Sequence, residues 1–241
     1  MNDEGAARIR ALVQAIPDLA GSTVLDLGAG DGEIAAELAL RGATVTAVEG
    51  RAENAVEIRA LRNERGIRKS LLEVLVSDVR ELNWDVLGEF DVVVCSGLLY
   101  HLPLPDAVEL ARHMHAVCTR MLVVDTEVAW GPLVEEQGYA GLHFREHPGS
   151  LSALDDRDSF WLTRASLHAL LYDAGFASSF ELGSPGQPRR ETRATVVAYV
   201  GERVERLELE PERMLPDARP NEPSASRLMR ARLALARLAR R

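Results

Sequence analysis

Lysine is almost missing from this chain: Lys69 is its single representative among 241 residues, whereas arginine, alanine and leucine abound. That skew is one of genome composition and carries no function. Basic charge is in deficit as well. Lys and Arg together number 28 against 37 Asp and Glu, a formal net charge of −9. Such a balance argues against a large phosphate-binding surface, and so against nucleic acid as a partner. Cysteine is scarce too. Cys95 and Cys118 sit in apolar stretches without metal-ligand spacing and read as buried, reduced thiols of a cytoplasmic protein. No run approaches the roughly 20 apolar residues of a membrane span. The acidic start, Met1-Asn2-Asp3-Glu4, is followed by no apolar signal segment. Apolar residues, at 46%, are ample for a core, and the length suits one α/β domain with an appendage.

The organising stretch is Val24-Leu25-Asp26-Leu27-Gly28-Ala29-Gly30-Asp31-Gly32. An apolar run enters a glycine-rich turn, and a helical pattern with Ile34, Ala35, Leu38 and Ala39 on one face follows at once. Strand, tight turn and helix open an α/β nucleotide-binding unit. Dinucleotide sites use G-x-G-x-x-G and hold pyrophosphate at the helix N-terminus. Here Glu33 stands where the third glycine would be, and Asp31 and Glu33 would repel a pyrophosphate. An adenosine ligand that carries a cation fits better.

At these residues the chain resembles the class I S-adenosylmethionine methyltransferases, whose first motif reads acidic-x-Gly-x-Gly-x-Gly; Asp26, Gly28, Gly30 and Gly32 match it. The resemblance implies a Rossmann-like, doubly wound, mostly parallel sheet with an antiparallel last strand at the sheet edge. It covers residues 21–200. It also implies S-adenosylmethionine as cofactor. Glu49 ends the second strand, Thr44-Val45-Thr46-Ala47-Val48, about 20 residues beyond the turn, where a ribose-binding carboxylate belongs. NAD enzymes share that acid. Asp78 and Val79, after a third strand over 71–76, match the family's adenine-binding pair, although an Asx turn at a strand end would also favour Asp. The fourth strand, Phe90 to Cys95, is apolar throughout, as befits burial on both faces. Ser96 and Gly97 leave it at the carboxyl edge where ligands of open α/β sheets bind. With Ala29 in the turn, they complete the expected cofactor set.

Leu99-Tyr100-His101-Leu102 stands where the nucleic-acid amine branch of the superfamily carries Asn/Asp-Pro-Pro-Tyr. It is more similar to the small-molecule methyltransferases. The expected reaction is therefore methyl transfer to an oxygen or nitrogen of a small acceptor, without a metal. If that acceptor is a hydroxyl or an ammonium, His101 is the first candidate base and His147 the second, imidazole being suited to the task near neutral pH. Two rivals stand beside this reading: an NAD-dependent oxidoreductase, which the glycine spacing and the lack of a Tyr-x-x-x-Lys pair disfavour, and a cofactor-binding module without catalysis.

Around this centre the pattern predicts a leading helix carrying Ala6, Ile9, Leu12, Val13 and Ile16, stopped by Pro17. In the resembled family such a helix often closes over the cofactor; packing on the sheet is the equal alternative. A helix over 52–64 ends at Gly66. Pro105 begins another, whose Val108, Ala111, Met114 and Cys118 face the sheet, and a fifth strand spans 121–127. Residues 128–162 read as a long irregular insertion, a lid whose Trp130, Tyr139 and Trp161, with Tyr100, would contact the acceptor. Its His143, Glu146 and His147 suit substrate contact better than a metal site. Thr163 is placed to cap a helix ending at Gly175. Strands at 180–182 and 194–200 would pair as a hairpin. Residues 201–241 form a Pro-rich linker and a basic amphipathic end. That end would suit an anionic membrane surface or a partner, but a terminal segment docked on its own domain or trailing from it is the favoured reading.

Overall fold

The computed structural model describes residues 9, 12–145, 154, 158–182 and 192–201. The basic C-terminal segment, Ala6, Glu146 and His147 lie outside them. Five parallel strands, β1 (Thr23–Leu27), β2 (Thr44–Glu49), β3 (Leu72–Val76), β4 (Phe90–Ser96) and β5 (Cys118–Glu127), form one sheet with β9 (Ser178–Glu181) and β10 (Arg193–Tyr199). The order is β3-β2-β1-β4-β5-β10-β9. The last strand runs antiparallel to both neighbours, as expected. It does not lie at the edge, however: β9 takes that place, because β10 pairs along its whole length with β5 and still has a second edge to offer.

The strand sequences alternate between two cores. Leu25, Leu27, Val93, Cys95, Leu122 and Val124 point to one face, where they meet α3 (Leu104–Val117) and α4 (Arg164–Ala174). Val24, Val92, Val94, Met121 and Val123 point to the other, with α1 (Glu33–Leu40) and α2 (Ala52–Glu64). A period of two in which both phases are apolar is what a sheet covered on both faces demands. Ile9, Leu12, Val13 and Ile16 are buried in this second core, so the leading segment packs on the sheet's α1–α2 face.

Two boundaries differ from the sequence reading. Cys118 begins β5 and ends nothing in α3, whose buried positions are Leu104, Ala107, Leu110, Ala111, Met114 and Val117. The insertion is not irregular. It holds β6 (Val134–Glu136), β7 (Tyr139–Arg145) and β8 (Asp158–Leu162), a three-stranded antiparallel sheet. Gly141 hid β7, since glycine weakens a strand pattern. Here it makes room for Phe160: a Cβ on Gly141 would lie 2.3 Å from Phe160 Cε1. Phe160 is buried in the first core, and its N–H donates to the Leu102 carbonyl at 2.9 Å. That bond ties β8 to the segment that follows β4. The Thr163 hydroxyl accepts from the Ser166 amide and caps α4, which ends at Gly175 with φ 116°.

Candidate active site

The glycine turn sits at the carboxyl end of β1. Gly28, Gly30 and Gly32 have φ of 70°, 58° and 80°, all in the left-handed region that glycine adopts at little cost. Gly30 and Gly32 differ in what surrounds them. A Cβ on Gly32 would meet Ile58 of α2 at 2.8 Å, so this glycine serves helix packing. A Cβ on Gly30 would meet nothing nearer than the Gly28 carbonyl at 3.9 Å. Gly30 thus leaves an open cradle.

Four amides of this turn are already engaged. Gly28 and Ala29 donate to the Val48 carbonyl at 2.9 and 3.0 Å, Gly32 donates to the Ala29 carbonyl, and Gly30 donates to Glu49 Oε2 at 2.8 Å. A pyrophosphate would need such groups aimed outward. The other Glu49 oxygen accepts from the Arg51 amide at 2.8 Å. Glu49 is 5% exposed, and its carboxylate keeps unused lone pairs for ligand hydroxyls. Asp26 is 1% exposed. Burial, then the charges of Glu49 and Asp31, push its carboxyl up to about 7. Its Oδ2 is buried with no hydrogen-bond partner. Glu33 is paired with Arg65. An acidic turn with an open glycine, a ribose-type carboxylate and an under-satisfied buried acid fits a nucleoside that carries positive charge.

Asp78 follows β3, and its carboxylate makes the Asx-turn bond that is the alternative to an adenine contact. Its carboxylate accepts from the Arg80 amide at 2.9 Å and grips the Arg80 guanidinium, with Arg80 Nη2 at 2.5 Å from Oδ2. Arg80 in turn lies 3.7 Å from Asp106 at the start of α3. Val79 is buried in the first core.

At the end of β4, Gly97 has φ 80° and donates to the Asp125 carbonyl at 2.8 Å; the Ser96 hydroxyl donates to Asp125 Oδ2 at 3.3 Å. Leu99–His101 forms a single 3-10 turn. The rings of Tyr100 and His101 lie 4.0 Å apart, Trp161 meets Tyr100 edge-on at 5.7 Å, and Phe144 stacks on Trp161 at 4.4 Å. So β7 and β8 deliver an aromatic group to the carboxyl edge of the main sheet. Two other sequence-derived substrate contacts do not join it. The Tyr139 ring is buried and its hydroxyl donates to Asp173 of α4 at 2.6 Å, a strut between the small sheet and that helix. Trp130 is 45% exposed and makes no ring contact with the Tyr100 group. His143 lies 3.2 Å from Glu136 within the small sheet. The Cys95 thiol, pushed up to about 12 by burial and by Asp26, is no nucleophile.

One cluster escaped the sequence reading. Arg193, the first residue of β10, grips Asp125 through Nε and Nη2 at 3.0 and 2.8 Å and Glu127 through Nη1 at 2.9 Å. Its guanidinium also lies 5.7 Å from the centroid of the Tyr100 ring. Asp125 and Glu127, two apart at the end of an apolar strand, were the available signal. Their partner became visible only with the register that sets Arg193 opposite Glu127.

A family described as a methyltransferase domain matches residues 24–120. The ubiquinone biosynthesis O-methyltransferase of Pseudomonas syringae pv. tomato is 39% identical over 98 residues, 40% of this chain and 40% of that protein. That of Xanthomonas oryzae pv. oryzae is 36% identical over 111 residues, 46% of this chain and 42% of that protein. The chain therefore spans well under half the length of these curated relatives. The N-terminal domain of EvdMO1, crystallised in the presence of SAH and D-fucose, is 30% identical, with 83% of this chain and 84% of that one covered at a TM-score of 0.68. Magnesium protoporphyrin IX methyltransferase (ChlM) from Synechocystis PCC 6803, solved with bound SAM, shares the fold at 19% identity and a TM-score of 0.54, over 81% of this chain and 77% of that one.

Proposed function

The chain belongs to the class I S-adenosylmethionine-dependent methyltransferases, and from that premise we propose that it moves a methyl group from this cofactor to an oxygen or nitrogen of a small-molecule acceptor. The observation that carries the proposal is the joined Gly30–Glu49 unit, in a turn where the Gly28, Ala29, Gly30 and Gly32 amides are bonded internally and the surroundings are acidic. When bound, S-adenosylmethionine supplies a methyl group on a positively charged sulfur, open to in-line attack.

The chain's own residues hold and orient. Gly28, Ala29 and Gly30 line the cradle, with Gly32 fixing the turn on α2. Glu49 accepts from ribose hydroxyls while staying anchored by Gly30 and Arg51. Asp78 and Val79 border the base, and Ser96 and Gly97 border the reacting end. Asp26, with Asp31 and Glu49, favours the cofactor's cationic part. Tyr100, Trp161 and Phe144 form an apolar wall beside the 3-10 turn. Such a wall positions an acceptor and excludes water, the two contributions that matter most when charge disperses in the transition state. In this reading His101, in the 3-10 turn after β4, takes the proton from a hydroxyl or ammonium acceptor.

The insertion containing the small sheet is the lid over that acceptor, and closure would slow hydrogen exchange in it. Small-molecule O-methylation by the named relatives supports the acceptor class. A nicotinamide enzyme would need several amides aimed at a pyrophosphate, and four of this turn's are bonded internally.

The deciding experiment incubates the full chain with methyl-labelled S-adenosylmethionine and a small-molecule extract of the source cells, then identifies the labelled product. Stabilisation by S-adenosylhomocysteine and not by NAD is expected in the same preparation. Stabilisation without transfer to any component would leave a binding module.

A further inference from the structure

The ion cluster at the ends of β5 and β10 invites a role of its own. Arg193 reaches from β10 to Asp125 and Glu127 on β5, and all three of its nitrogens donate to their carboxylates. The Thr195 hydroxyl adds a bond to Asp125 Oδ1 at 3.1 Å. Asp125 is only 1% exposed at its side chain and Arg193 11%. Two carboxylates against one guanidinium leave a negative balance, and the guanidinium is already committed. This arginine is therefore not built to receive an anionic acceptor.

What it touches lies on the acceptor side. The Asp125 carboxylate, which it grips, accepts from the Ser96 hydroxyl at the end of β4, while the Gly97 amide bonds the Asp125 main-chain carbonyl. Its guanidinium faces the Tyr100 ring at 5.7 Å, and its Nη2 is 4.0 Å from where a Gly97 Cβ would lie. Tyr100 in turn abuts Trp161 and His101. One planar cation thus meets both a carboxylate that bonds Ser96 at the end of β4 and the aromatic ring that follows it. A cation over a ring and a bidentate carboxylate pair are each orientation-dependent, and lysine provides neither the fork nor the plane.

We propose that Arg193 is a positioning residue for methyl transfer, fixing the Tyr100 ring in the arrangement that faces the acceptor. The proposal rests on the methyltransferase reading. It separates from a purely structural role, in which Arg193 only neutralises the buried Asp125.

The test compares wild type, Arg193→Lys, Arg193→Met and the double variant Arg193→Met/Asp125→Asn. The double variant removes the buried Asp125 charge together with its partner and leaves only the more exposed Glu127 unpaired, where the single Met variant would strand the buried carboxylate as well. Each is measured for S-adenosylhomocysteine affinity by calorimetry and for transfer of labelled methyl from S-adenosylmethionine to the small-molecule extract. The expected result is affinity within about twofold of wild type and transfer lowered about 10- to 100-fold in Arg193→Lys and in the double variant. Tyr100→Leu should lower transfer too, and combining it with Arg193→Lys should add little, since the two act through one ring. Wild-type transfer by the stable double variant would overturn the proposal and leave charge neutralisation as the whole role of Arg193. Additive losses with Tyr100→Leu would also overturn it. No transfer by the wild-type chain would overturn the methyltransferase reading itself, and this proposal with it.

Discussion

Gly30 and Glu49, 19 residues apart in sequence, are joined by a 2.8 Å hydrogen bond from the glycine amide to the carboxylate. The end of β2 therefore shapes the turn after β1. A charge-assisted bond of this kind is roughly twice as strong as a neutral one, and the same carboxylate anchors the Arg51 amide at 2.8 Å. A change at this acid therefore alters the turn geometry along with any ligand contact it makes.

Glu49→Ala should therefore lose two things at once. Affinity for S-adenosylhomocysteine should fall by about 1.5–3 kcal/mol, the value of a hydrogen bond to a charged group. The melting temperature should fall as well, because the Gly30 and Arg51 amides lose their acceptor. Calorimetric titration and thermal unfolding measure both; unchanged affinity would remove Glu49 from the site.

The two glycines of the turn should respond differently to alanine. Gly32→Ala drives a Cβ to 2.8 Å from Ile58 at a φ of 80°, and should cost about 2–4 kcal/mol of stability from overpacking and left-handed strain together. Gly30→Ala meets open space, so only the strain of about 1–2 kcal/mol applies, but its methyl group enters the cradle and should lower S-adenosylhomocysteine affinity sharply. Denaturant unfolding beside titration separates the two. Undiminished binding by Gly30→Ala would place the cofactor elsewhere.

The glycine motif and the strand-end acids were readable in the sequence because they depend on local rules: which residues take positive φ, and where an apolar run stops. The central strands were readable for the same reason, their two buried faces leaving no polar interruption. What depends on tertiary pairing was not. The β7–β8 pair was hidden because Gly141 looks like a breaker until Phe160 fills its space. The bond from the Tyr139 hydroxyl to Asp173, 34 residues on, depends on how the small sheet meets α4. Arg193 stood in a stretch rich in Gly, Pro and Arg, and only strand register sets it beside Asp125 and Glu127.

Asp26 should make the apo-protein's stability depend on pH. Its carboxyl is raised from 3.8 to about 7 in the fold, so between those values the unfolded chain is ionised while the folded one holds the proton. The folded state binds more protons there, and stability must fall as pH climbs through that window, by an amount on the order of a few kcal/mol. Below the window both states are protonated, and above it both are ionised. Asp26→Asn should flatten this part of the profile and stabilise the apo-protein above pH 7 or so. S-adenosylmethionine, a cation, should bind the wild type more tightly as the carboxyl ionises. A variant whose stability profile matches wild type from acid to neutral pH would show that Asp26 does not titrate in this range.

The role of His101 turns on whether its ring acts through a nitrogen or through its shape. It stands in the 3-10 turn that leaves β4, with its ring 4.0 Å from that of Tyr100. A ring that only packs there and a ring that takes the acceptor's proton make the same contact, so alanine alone does not separate them. His101→Phe keeps an aromatic ring against Tyr100 and removes the basic nitrogen. If His101 is the base, His101→Phe and His101→Ala should both lower turnover by about 10²–10⁴-fold, the usual contribution of general-base catalysis. S-adenosylhomocysteine affinity should stay near wild type in both, because the cradle lies at the ends of β1 and β2. If the ring only packs, His101→Phe should retain turnover and only His101→Ala should lose it. The measurement is transfer of labelled methyl to the acceptor identified from the extract. Should both variants stay active, the acceptor attacks without help from His101, and His147→Ala in the same assay then shows whether the other candidate carries the proton.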